Sequence, residues 1–128
     1  MMIKPPIVLR SLVLTKAIAT QWEVILLMLN HFRSYRLAVE FHHQCRSVQM
    51  PDYLKDQILR ASSSIALNLA EGSGRSTQKD QLRFFHISLG SLRECQAALD
   101  LSPKPMPALQ DLADSLGAHL YRLCHRKL

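Results

Sequence analysis

Glycine and proline are scarce in this chain, at 4 and 6 of 128 residues. Long stretches without either argue against a turn-rich β protein and a low-complexity one, and they favour helices. Cysteine is scarce as well. Cys45, Cys95 and Cys124 are odd in number and widely spaced, with no CxxC pair. Neither a zinc site nor a thioredoxin-like motif is suggested, and reduced, mostly buried thiols in a cytoplasmic protein are expected. No stretch of about 20 nearly uncharged residues is present, so no membrane span is expected. Acidic charge is the minority sign, with 10 Asp and Glu against 16 Lys and Arg, a net of +6. That mild basic bias fits contact with RNA or DNA, and equally a basic soluble domain that binds neither.

What is present is an ordinary globular balance, 48% hydrophobic and 20% charged, over a length that suits one domain. Residues 1–29 stand apart. Arg10 and Lys16 interrupt what a signal peptide would keep uncharged, and with Glu23 they also argue against a spanning helix. Two readings stay open for this N-terminal extension: an extra helix covering part of the fold, or a segment upstream of a native start at Met28.

Apolar residues then recur at spacings of three and four, which predicts helices over residues 31–48, 51–71, 77–101 and 107–126. The first stripe is Leu37, Ala38, Phe41, Cys45 and Val48, extended by Tyr35, with Asn30 as N-cap. The second follows Pro51, which suits a first helical turn, and carries Leu54, Ile58, Ala61, Ile65 and Leu69. Ser62, Ser63 and Ser64 are small enough for close helix approach and can bond back to backbone carbonyls. In the third, Leu82, Phe85, Leu89, Leu92 and Leu99 form a seam beside a second strip of Phe84, Ser88, Ser91 and Cys95. Thr77 with Asp80 suits its N-terminus, and Gly90 in its middle predicts a helix passing close by. Three prolines at 103, 105 and 107 force a break. Leu109, Leu112, Leu116, Leu120 and Leu123 stripe the last helix. Short breaks between amphipathic helices imply antiparallel neighbours. The expectation is therefore an all-α, up-down-up-down antiparallel four-helix bundle over residues 30–128.

Catalytic patterns are sparse. Six histidines (His31, His42, His43, His86, His119, His125) form no HExxH motif. Glu40 and His43 make a single Glu-x-x-His pair, whereas a di-iron bundle needs two. His42 and His43 are placed on the bundle surface. Gly72-Ser73-Gly74 lacks the P-loop lysine and reads as a helix stop, with glycine supplying a left-handed backbone. No enzyme, metal or cofactor is expected.

The segment Asn68-Leu69-Ala70-Glu71-Gly72, followed by Leu89-Gly90-Ser91-Leu92 and Glu94, resembles the family of 23S rRNA intervening-sequence proteins, the bacterial four helix bundle proteins. FRSYRLAVEF at 32–41 is similar to that family's first helix, so the resemblance covers about residues 30–128. Ile87-Ser88 stands where Ile-Ala is more usual. Nothing in residues 1–27 belongs to the resemblance, which favours Met28 as the start. The resemblance implies a cytoplasmic, non-enzymatic bundle assembling as a ring-like homopentamer and associated with RNA. A related branch comprises accessory proteins of diversity-generating retroelements, which implies a reverse transcriptase as an alternative partner.

Within that frame, Asn68, Glu71, Gly72, Gly90, Ser91 and Glu94 are read as structural motif residues. Glu71, beside the third helix's N-terminus, is expected to fix the turn by pairing with Arg75 or Arg83, and Glu71→Gln to weaken folding by about 0.5–2 kcal/mol. The candidate nucleic-acid contacts are Arg33, Arg36, Arg46, Arg75, Lys79, Arg83, Arg93, Arg122, Arg126 and Lys127.

Overall fold

The apolar stripes become helices over nearly all of residues 32–125, the part of the chain that the computed structural model describes. Helix α1 is Arg33–Ser47, α2 Asp52–Ser73, α3 Gln78–Leu101 and α4 Pro107–Cys124. No strand occurs among the described residues. Helix α1 packs on α2 and α4, and α3 packs on the same two, so the helices form an up-down-up-down antiparallel four-helix bundle. Phe41, Ile58, Ile65, Leu69, Leu92, Leu116 and Leu120 are wholly buried at its centre. Each such side chain contributes roughly 1.5–3 kcal/mol by leaving water. Residues 1–29, with the open question of Met28, lie outside the described residues, as do Arg126 and Lys127.

The helix ends depart from expectation in instructive ways. The N-cap of α1 is Phe32, with no side-chain cap hydrogen bond, and Asn30 lies outside the described residues. The Phe32 ring instead meets Phe85 edge-on at 5.9 Å, an apolar anchor in place of a polar cap. At the other end of α1, Lys55 Nζ donates to the carbonyls of Arg46 (2.9 Å) and Val48. An ammonium there also complements the helix dipole. Pro51 is the N-cap of α2 rather than its first residue, and its carbonyl accepts from Leu54 and Lys55. Thr77 caps α3 as expected, its Oγ1 accepting from Asp80 N at 3.2 Å.

Glycine required the largest corrections. Helix α2 continues past Glu71 to Ser73, and no described glycine has positive φ. The expected left-handed stop is absent. Gly74 is the C-cap in right-handed geometry, and Gly74 N and Arg75 N donate to the carbonyls of Glu71 and Gly72. Gly72 is glycine for space: a Cβ there would lie 2.8 Å from Phe85 Cε1 and 3.0 Å from Phe84 Cβ. Gly90 is the reverse, since nothing lies within 4 Å of its missing Cβ. The helix expected to pass close by Gly90 does not do so within the bundle. That close approach occurs at Gly117 of α4, where a Cβ would meet Leu92 Cδ2 at 3.1 Å.

Helix α3 is also rotated from its leucine seam. Leu82 and Leu89 are only half-buried, while Ser88, Ser91 and Cys95 are buried with Phe85, Leu92 and Leu99. Hydrogen bonds to α2 explain the choice. Ser88 Oγ donates to Ile65 O at 3.0 Å, and the Ser64 and Ser91 hydroxyls meet at 2.9 Å. The Asn68 amide donates to Ser64 O and to Ser64 Oγ, at 2.8 and 3.0 Å. Ser62 and Ser63 bond back to the carbonyls of Leu59 and Arg60, as expected of helical serines.

Candidate nucleic-acid interface

Alternating helix directions bring the start of α1, the end of α2, the start of α3 and the end of α4 to one end of the bundle. Six candidate bases thereby gather there: Arg33, Arg36, Arg75, Lys79, Arg83 and Arg122. They are spread over some ninety residues of sequence, and only the antiparallel topology assembles them. Arg46 sits at the opposite end, beside Lys55, and is not part of the group.

The six are not equivalent. Arg75 Nη2 lies 3.1 Å from Glu71 Oε1, and Arg83 Nε lies 3.8 Å from Asp80 Oδ1. Both guanidiniums also stack on the Phe84 ring, at 4.7 and 4.5 Å from its centroid. Their charge is largely answered within the turn, and Arg75 is half-buried. Glu71 pairs with Arg75, one of its two expected partners, on the surface. No ion pair involves Arg33, Arg36, Lys79, Arg93 or Arg122 among the described residues, and all five are exposed. These five are the cations best placed to meet a phosphate backbone.

Arg93 and Arg122 share a further feature, a groove of about 500 Å³ between α3 and α4 lined also by Gln96, Asp114, Gly117, Ala118 and Tyr121. Close approach at Gly117 forms its floor. Arg93 Nη1 donates to Gln96 Oε1 at 2.9 Å, and Gln96 Nε2 donates to Asp114 Oδ1 at 3.1 Å. Gln96, the polar interruption in the leucine seam, thus positions a cation at the groove and occupies its one lining carboxylate.

Three exposed rings border the same region. Tyr121 stacks on His125 at 3.9 Å between centroids with 23° between planes, and His86 meets His125 edge-on at 6.2 Å. His125 Nδ1 is 2.8 Å from the Tyr121 carbonyl, which orients the ring. None of these rings was singled out from the sequence as a contact. The available signal was the spacing of Tyr121 and His125, one helical turn apart beside Arg122, but His86 comes from another helix and has no local signature.

Glu94 accepts from Gln57 Nε2 at 2.8 Å, tying α3 to α2. His42, expected on the surface, is only partly exposed and its Nδ1 lies 2.7 Å from the hydroxyl of buried Ser62. Burial, then the neighbouring His43 and Arg46, push the His42 pKa down. Glu40 accepts from Gln44 Nε2 at 3.3 Å, and no three His, Cys, Asp or Glu come together as metal ligands among the described residues. No helix among the described residues is long and apolar enough to cross a membrane.

A family model described as 23S rRNA-intervening sequence protein matches residues 30–123. No curated protein and no solved structure matches the chain.

Proposed function

The chain belongs to the 23S rRNA-intervening sequence protein family, and from that premise we propose that it is a non-enzymatic, oligomeric scaffold associated with RNA or other nucleic acid. The observation that carries the proposal is the gathering of Arg33, Arg36, Lys79 and Arg122 at one end of the bundle, none in an ion pair among the described residues. Phosphates neutralised by such side chains release counterions, so affinity should fall steeply with salt.

Self-association is proposed on different grounds. Leu67 is 68% exposed and Leu101 67%, and with Tyr53 and Ile87 they line the outer side of the α2–α3 pair. Gly90 lies on the same side with open space around it. A glycine in mid-helix costs about 1 kcal/mol relative to alanine. Nothing inside the bundle offsets that cost, whereas close approach of a second copy would. An apolar surface of this kind marks an interaction site. The proposed assembly is a homopentamer, whose repeated basic ends would raise affinity by roughly 10²–10⁴ where all engage one strand.

Analytical sedimentation and a salt titration of RNA binding test both halves. The expected results are an oligomer at micromolar concentration and a linear fall of log affinity with log salt. A monomer would remove the assembly. An oligomer that ignores nucleic acid at low salt would favour the alternative set by the exposed α2–α3 surface, an adaptor for a protein such as a reverse transcriptase.

A further inference from the structure

We propose that the groove between α3 and α4 binds unpaired nucleobases of single-stranded RNA, with a base stacked on the Tyr121–His125 pair and the adjoining phosphates held by Arg93 and Arg122. The inference rests on the nucleic-acid role proposed above and deepens it, since a basic end alone would read only charge.

The chemistry of the groove favours a base over a bare phosphate. Tyr121 is 53% exposed although it is a large aromatic, and its ring is already stacked on that of His125. A stacked pair held by a helical turn and by the His125 contact to the Tyr121 carbonyl is a rigid platform. Little side-chain freedom is then lost on binding. Every base has a π-face, so such a platform accepts any sequence once the base is unpaired. Paired bases in an A-form duplex are stacked on one another and do not present that face.

The cations are set for the flanking backbone. Arg93 is held at the groove by Gln96, which also donates to Asp114. Arg122 follows Tyr121 directly and lines the same groove. The cluster around Phe84 differs on each point. Around Phe84, both guanidiniums already meet carboxylates, and the ring they cover is only partly exposed. That cluster closes the α2–α3 turn, whereas the Tyr121 cluster is open.

The test compares fluorescence anisotropy of a labelled 12-nucleotide single-stranded RNA with that of an abasic oligomer of equal length and charge, at low salt, on the full chain. The expected result is tighter binding of the RNA. Tyr121→Leu, which keeps apolar bulk on an exposed site, should weaken RNA binding by roughly 5- to 160-fold, the effect of losing one stacked base, and leave the abasic oligomer unchanged. Arg93→Gln should weaken both ligands, and helical signal on melting checks that each variant is folded. Equal binding of RNA and abasic oligomer, or a Tyr121→Leu chain that binds RNA like the parent, overturns the stacking site while leaving a charge-reading scaffold intact. Failure to bind either polymer overturns the nucleic-acid role and the groove assignment together.

Discussion

The Cβ that Gly72 lacks would lie 2.8 Å from Phe85 Cε1, closer than real side chains approach. The end of α2 therefore rests directly on the first turns of α3, and Phe85 in turn meets Phe32 across the bundle end. Gly72→Ala should destabilise the fold by about 1–3 kcal/mol, the usual range for overpacking. Gly90→Ala should act oppositely on the isolated bundle, stabilising it by up to about 1 kcal/mol, because it adds helix propensity where nothing is near. Denaturant midpoints of the two variants, measured where the chain is monomeric, decide the matter. Equal shifts of the same sign would contradict the assignment of one glycine to packing and the other to the surface.

Asn68 is tied more firmly into the bundle than Glu71. Glu71 is 56% exposed and makes one ion pair, with Arg75 a helical turn away. Glu71→Gln should therefore lower stability by less than about 0.5 kcal/mol, below the 0.5–2 kcal/mol expected of a turn-fixing carboxylate. Asn68 sits inside the Ser64–Ser91 network that joins α2 to α3. Asn68→Ala should cost about 0.5–1.5 kcal/mol, the net worth of a hydrogen bond. Paired chemical melts of the two variants would refute this order if the glutamate proved the more costly change.

His42 should make stability depend on pH. Its pKa in the folded chain is held below the ordinary value of 6.5, chiefly by burial and then by His43 and Arg46. Between those two pKa values the unfolded chain carries the extra proton, so stability rises with pH there. The contribution is complete above about pH 6.5 and is lost as pH falls through the folded-state value. Urea melts between pH 5 and 7.5 should show this slope, and His42→Gln should flatten it. An unchanged slope in the variant would assign the effect to another group.

The core thiols should be inert. Burial pushes the Cys45 pKa up to about 12 against the smaller opposing effects of Ser62 and Lys55. Burial also raises Cys95, with Cys45 and Glu94 adding to it. The thiolate is the reactive form, so both should resist Ellman's reagent at pH 8 until the chain unfolds. Rapid reaction of Cys45 in the folded protein, followed by peptide mapping, would show that the core opens there.

The helices and their order were legible in the sequence because the evidence for them is local. A stripe such as Leu54, Ile58, Ala61, Ile65 and Leu69 records one buried face, and Thr77 by its side-chain oxygen and the prolines by their backbone mark helix ends. Short connections between such helices leave little topological choice, so the antiparallel bundle followed as well. Tertiary structure decided which neighbour each face meets. It rotated α3 toward Ser88 and Ser91 because their hydroxyls reach Ile65 O and Ser64, a bond that leucine spacing cannot register. It separated Gly72 from Gly90, two glycines alike as letters, by putting Phe85 beside one and open space beside the other. It also brought His86 of α3 to His125 beyond α4, nearly forty residues away. Periodicity specifies an angle around one helix axis. The offset between two helices is set by how all four pack at once, and the groove between α3 and α4 exists only at that level.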